Sequence, residues 1–222
     1  MREIVLDTET TGLSPGDGHR IVEVGCVEML NHVPTGRRFQ SYFNPERDMP
    51  VEAESVHGLS EAFLADKHLF AERVEDLLVF LGDSPLVIHN ADFDLRFLNA
   101  ELQRLDRAPI PMDRAIDTVR MARSKFPGAP ANLDALCKRF GIDISDRATH
   151  GALKDSLLLA QVYLELVGGR QPGLVLATET APGTTSAARM DREPRPHGPP
   201  PDELARHAAF VGKLSDPIWL AE

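Results

Sequence analysis

The sequence predicts an α/β domain in which helices cover a mixed β-sheet. Three observations carry that expectation: strand-like runs at 4–6, 21–30 and 39–43, an alternation of helical and strand patterns from about residue 70, and an abrupt end to the alternation after Val167. Ile4, Val5 and Leu6 are apolar and partly β-branched, as is most of 21–30, while 39–43 alternates as a half-buried strand does. Over 70–81, Val74, Leu77, Leu78 and Leu81 recur at helical spacing. Leu86, Val87 and Ile88 form a short apolar run behind Pro85, the pattern of a buried strand. Further helical patterns follow at 92–107, 118–125, 132–140 and 150–167.

Composition divides the chain. Residues 1–167 read as one catalytic-sized domain. The 34 residues of 168–201 hold seven prolines and five glycines, a density that predicts a flexible linker. Residues 202–222 form a terminal peptide, with an amphipathic helix expected over 202–213 and an apolar end, Pro217-Ile218-Trp219-Leu220. Hydrophobic residues make up 42% of the 222, enough for a real core. No window approaches the roughly 18 apolar residues of a membrane span, and the first ten residues lack an apolar signal core, so no membrane association and a cytoplasmic location are expected. Cys26 and Cys137, the two cysteines, cannot build a disulfide framework. Against 34 acidic residues stand 24 basic ones, a net charge of −10. Such a protein is repelled by a polyanion, so handling nucleic acid requires divalent cations at the contact, a local basic patch, or a partner that delivers the substrate.

Four acids stand out. Asp7 and Glu9 sit where the first strand ends, and residues two apart in a strand point to one face, roughly 7 Å apart. Two adjacent anions repel unless a cation lies between them; a polar strand-to-turn transition through Thr10 and Gly12 is the plainer alternative. Asp94, in the run His89-Asn90-Ala91-Asp92-Phe93-Asp94, heads the apolar stripe Leu98, Leu102 and Leu105. Asp155 interrupts the stripe Ala152, Leu159, Val162 and Leu166, where a buried salt bridge is the competing reading. His150, five residues earlier, lies at the entry to that helix. Asp7, Glu9, Asp94 and Asp155 offer hard oxygen ligands from three elements, an inventory suited to two Mg²⁺ or Mn²⁺ ions rather than zinc. An imidazole titrates near neutral pH and suits the role of base for a water that such ions activate.

The runs IVLDTETTG, VIHNADFDLRFL and HGALKDS, with NLDALCKRFGI ahead of the third, resemble in order and context the motifs of the DEDDh exonucleases of the ribonuclease H-like superfamily. The likeness covers roughly residues 2–170 and is greatest to the members that proofread for bacterial replicative polymerases. It implies a mixed five-stranded sheet flanked by helices, with Asp7, Glu9, Asp94 and Asp155 as metal ligands and His150 as general base. It also implies contacts to the 3′-terminal nucleotide of DNA from Asp7, Glu9 and Asp155, from Thr8 by its backbone, from Leu13 by wedging, and from Glu52 and His57 in PVEAESVHGLS. A loop-capping imidazole is an equal reading of His57. Residues 170–176, with Gln171 and Leu174, resemble a sliding-clamp-binding peptide, an ordinary linker being the alternative. The last residues, with Trp219, resemble a tail that docks on the polymerase subunit. The implied reaction is removal of nucleotides from a DNA 3′ end. An RNA-trimming enzyme with the same chemistry and a non-catalytic polymerase adaptor are the competing readings. Arg120, Arg123, Lys125, Lys138 and Arg139 fit either a guide for the strand or a solvated helix face.

Overall fold

The computed structural model describes residues 1–145, 150–169 and 198–215. The chain forms two compact units, Met1–Leu174 and Val175–Glu222. In the first, β1 (Arg2–Thr10), β2 (Ile21–Leu30) and β3 (Val33–Tyr42) run antiparallel in sequence, and β4 (Leu86–Ile88) and β5 (Ala115–Asp117) join parallel on the other side of β1, in the order β3-β2-β1-β4-β5. This is the five-stranded mixed sheet that the resemblance implies.

The pleat sorts side chains between two cores. Ile4 and Leu6 of β1 pack with Val24, Cys26 and Ile88 against α3 (Phe70–Leu81) and α4 (Ala91–Arg104). On the opposite face, Val5 packs with Val27, Met29 and Val87 against α5 (Thr118–Lys125), α6 (Leu133–Phe140) and α7 (Ala152–Leu166). Cys26 is buried in the first core and Cys137 in the second.

Several elements differ from the sequence expectation for identifiable reasons. β1 continues to Thr10, so Asp7 and Glu9 lie within the strand rather than at its end. β3 begins at Val33 rather than residue 39, because its first six residues are exposed at the sheet edge and carry no alternation; only Phe39 and Ser41 are buried. Two short helices, α1 (Val51–His57) and α2 (Glu61–Leu64), each bury one side chain, His57 and Leu64, which leaves no stripe to read. β5 has three residues, too few for a periodic signal. Lys125 is more than a solvated side chain: its Nζ donates to the carbonyls of Glu165 and Leu166, both at 3.0 Å, and so closes the C-terminal end of α7.

In the second unit, α8 (Pro201–Val211) occupies most of the stretch expected to be helical, with Leu204 and Phe210 exposed. The peptide 170–176 with Gln171 and Leu174, most of the expected linker, and Trp219 lie outside the described residues.

Candidate active site

The site forms at the C-terminal half of β1. Odd residues of this strand face α7, so Asp7 and Glu9 point toward the helix that carries Asp155. Glycine makes the approach of that helix possible. Gly25 pairs with Asp7 in the ladder, and a Cβ there would lie 2.1 Å from the backbone nitrogen of Leu153. The first turn of α7 therefore rests directly on the backbone of β2, and Ser156 Oγ donates to the Gly25 carbonyl at 2.9 Å.

His150 enters from just ahead of α7. Its backbone N–H donates to the Val56 carbonyl at 3.2 Å, which fastens this stretch to α1. Its Nδ1 lies 3.0 Å from Asp155 Oδ2, an orienting contact for the imidazole. Ligand atoms of Glu9, His150 and Asp155 all fall within 4.8 Å of one another, a separation at which one cation can be shared.

Asp94 arrives from the other face of the sheet. The connection is Thr8, whose side chain points toward α4: its backbone N–H and Oγ1 both donate to Asp94 Oδ1, at 3.0 and 2.7 Å. Asn90, just ahead of α4, takes the left-handed conformation (φ 71°) that turns β4 into the helix and aims its first turn at the site. Asp94 and Asp155 are buried at 3% and 4% exposure, whereas Asp92 is exposed and pairs with Arg96.

Crowding of anions dominates the electrostatics. Burial first, and then the carboxylates of Asp94, Glu9, Asp155 and Glu23, hold the Asp7 carboxyl well above the usual range. Burial likewise pushes Asp94 up to about 7, although the Thr8 hydrogen bonds work in the opposite direction. Asp155 Oδ2 meets His150 Nδ1 at 3.0 Å and Asp94 Oδ1 accepts from Thr8, so both carboxylates are held in place at the site. Hard oxygen donors crowded together from three elements fit divalent cations.

Beside the acids opens a cavity of about 560 Å³ lined by Glu9, Leu13, Glu52, Val56, His57 and Phe93, among others. Leu13 is 81% exposed at its mouth. His57 caps the loop after α1: its Nδ1 accepts the Leu59 N–H at 3.0 Å, and the ring is buried at the cavity. Since Nδ1 accepts, the proton of the neutral ring sits on Nε2, and burial is the main cause that lowers the pKa of this imidazole. Thr8, expected at the nucleotide pocket, is not part of its lining. Phe93 and His19, which do line the cavity, were not singled out from sequence, because a lone aromatic or imidazole gives no signal until a fold places it.

A mixed sheet that gathers acids from β1, α4 and α7 beside a histidine defines a nuclease of the exonuclease family, and the chain belongs to that family: the model described as Exonuclease matches residues 4–163. It is a metal-dependent 3′–5′ exonuclease. More particularly, the chain is 50% identical to a Rickettsia felis protein named DNA polymerase III subunit epsilon, over 96% of this chain and 97% of that one. The Escherichia coli K12 protein of the same name is 44% identical over 80% of this chain and 76% of its own. Among solved structures, exonuclease X in complex with 5′ overhanging duplex DNA matches with a TM-score of 0.58 at 26% identity, covering 74% of this chain and 90% of that one. The nuclease domain of 3′hExo, a DEDDh family member bound to rAMP, shares the fold with a TM-score of 0.64 at 21% identity, over 75% and 91% of the two chains. No helix among the described residues is long and apolar enough to cross a membrane.

Proposed function

We propose that the protein is the proofreading subunit of a bacterial DNA polymerase III, removing nucleotides from DNA 3′ ends by phosphodiester hydrolysis. The observation that carries this reading is the convergence of Glu9, His150 and Asp155 within 4.8 Å, beside Asp7 and the Thr8-held Asp94. Asp7, Glu9, Asp94 and Asp155 are the residues that hold two cations, Mg²⁺ or Mn²⁺. When bound, such ions supply Lewis acidity that readies a water on one side of the phosphorus and stabilises the departing oxygen on the other.

The chain's own groups do the rest. His150, oriented through Nδ1 by Asp155, accepts the proton of the attacking water. As the new oxygen–phosphorus bond forms, the bond to the 3′ oxygen of the remaining strand breaks and a 5′-mononucleotide departs. The cavity beside Glu9 takes the terminal nucleotide: Leu13 wedges at the mouth, and Glu52 and His57 of its lining contact the nucleotide.

DNA is favoured over RNA by the name that the relatives carry, DNA polymerase III subunit epsilon. In that assembly, located in the cytoplasm, residues 202–222 with Trp219 dock on the polymerase subunit, and 170–176 with Gln171 and Leu174 meet the sliding clamp. Tethering raises the effective concentration of the site at a primer end, which offsets the poor intrinsic affinity of a protein with net charge −10 for a polyanion. The decisive assay follows nucleotide release from matched single-stranded DNA and RNA in Mg²⁺, using wild type and Asp7→Ala. Release from DNA that Asp7→Ala abolishes, with unchanged circular dichroism, is the expected result; equal rates in the two proteins would overturn the site. Co-purification with the polymerase subunit should disappear on removal of 202–222.

A further inference from the structure

α7 begins without a capping side chain of its own. Its N-cap is Gly151, which has no side-chain oxygen to offer the first N–H groups, yet those groups lie at the buried end of the helix that presents Asp155. The cap comes instead from a strand 129 residues away: the backbone N–H of Ala152 donates to Glu23 Oε2 at 3.0 Å. The other oxygen of Glu23 accepts Gln40 Nε2 at 2.8 Å, and Gln40 Nε2 also donates to Tyr42 Oη at 3.0 Å. Glu23 is 2% exposed, stands opposite Glu9 in the β1–β2 ladder, and forms no ion pair with a lysine or arginine among the described residues. A buried carboxylate with two neutral donors is an expensive arrangement. Its placement is costlier still, because its charge adds to those that raise Asp7. The positive end of the α7 dipole offsets part of that cost.

We infer that Glu23 is a positioning residue, a helix cap supplied from β2 that fixes the first turn of α7 so that Asp155 and His150 meet Glu9. Asp155 lies three residues beyond the capped Ala152, and its own N–H closes onto the Gly151 carbonyl at 2.8 Å, so a shift of the cap carries directly to the ligand. Both Glu23 oxygens are committed to protein donors, which separates it from the four acids that hold the cations. The role rests on the metal reading of those four.

The molecule provides its own control. A second buried glutamate, Glu3 of β1, holds the distant end of the same helix: Oε1 accepts the Tyr163 hydroxyl at 2.7 Å, and Oε2 lies 2.9 Å from His32 Nδ1. Both glutamates secure α7 to the sheet, but only Glu23 does so at the end that bears Asp155. A merely structural role predicts similar consequences for the two; a positioning role predicts different ones.

The test titrates the full-length protein with Mn²⁺ and reads free Mn²⁺ by electron paramagnetic resonance, for wild type, Glu23→Ala, Glu23→Gln and Glu3→Gln. Glu23→Ala should weaken Mn²⁺ binding about 10- to 100-fold, the range seen when a ligand's supporting partner is lost. Glu23→Gln, which keeps an acceptor for the Ala152 N–H, should recover part of the loss. Glu3→Gln should lower thermal stability and leave Mn²⁺ binding unchanged. Deuterium exchange at the Ala152 amide should quicken in Glu23→Ala while exchange around Tyr163 stays as in wild type. Wild-type Mn²⁺ affinity in Glu23→Ala, or equal weakening in Glu3→Gln, would overturn the inference. If Glu23→Ala does not fold, the comparison of Glu23→Gln with Glu3→Gln decides in the same way. Absence of Mn²⁺ binding in wild type would instead overturn the metal reading itself.

Discussion

Replacing Gly25 by alanine should damage catalysis far more than one methyl group suggests. The added Cβ would stand 2.1 Å from Leu153 N, 2.3 Å from Ala152 C and 2.4 Å from Leu153 Cα, where an ordinary contact begins at 3.4 Å. All three are backbone atoms, so no side-chain rotation relieves the overlap; α7 must withdraw by about 1.3 Å, the shortfall of the closest contact. Overpacking of this kind costs about 1–3 kcal/mol. In a protein of this size that corresponds to a fall in Tm of roughly 2–4 °C per kcal/mol. The catalytic effect is larger, because Asp155 and His150 travel with the helix, and a misplacement of about 1 Å at a reacting centre costs on the order of 100-fold. Nucleotide release from 5′-labelled single-stranded DNA under kcat/KM conditions measures the loss, and a thermal melt confirms that the variant is folded. A folded Gly25→Ala protein with wild-type kcat/KM would refute the claim that the seating of α7 on β2 sets the site.

Two further predictions concern the acids. The folded-state pKa of Asp94, about 7, lies above the ordinary carboxylate value of 3.8, so the metal-free fold favours its protonated form. The stability that this proton contributes is fully present below pH 3.8 and is lost progressively as pH rises toward 7, by up to about 4 kcal/mol for this one group. Melts of the metal-free protein should therefore fall from pH 5 to 8, with saturating Mn²⁺ removing the trend; a flat profile without metal would contradict the crowding described for the site. Thr8→Val removes the 2.7 Å bond to Asp94 while keeping shape, and should lower Mn²⁺ affinity or kcat about 10- to 100-fold, read by titration and by steady-state rates.

The four acids stood out because each broke a local rule: Asp7 and Glu9 put two anions on one face of a strand, and Asp94 and Asp155 interrupt apolar stripes. Such conflicts between residue type and pattern mark functional positions. Glu23 and Gly25 gave no such sign. An acid and a glycine in 21–30 read as ordinary interruptions of a strand, and their roles depend on a helix some 129 residues downstream, a distance over which periodicity carries no information. That the Thr8 side chain holds Asp94 was not legible, since only the pleat reveals that it faces α4 while its neighbours face α7.

The two buried thiols lie on opposite sides of the sheet, Cys26 beneath α3 and α4, Cys137 beneath α5 and α7, and burial pushes the Cys26 thiol well above its usual pKa. Each is thereby shielded from alkylating and oxidising reagents in the closed protein. A reagent that modifies Cys26 has passed through one helical layer, and one that modifies Cys137 has passed through the other. Cysteine labelling thus times the opening of each layer separately, a pair of clocks that the sequence carries without any engineered probe.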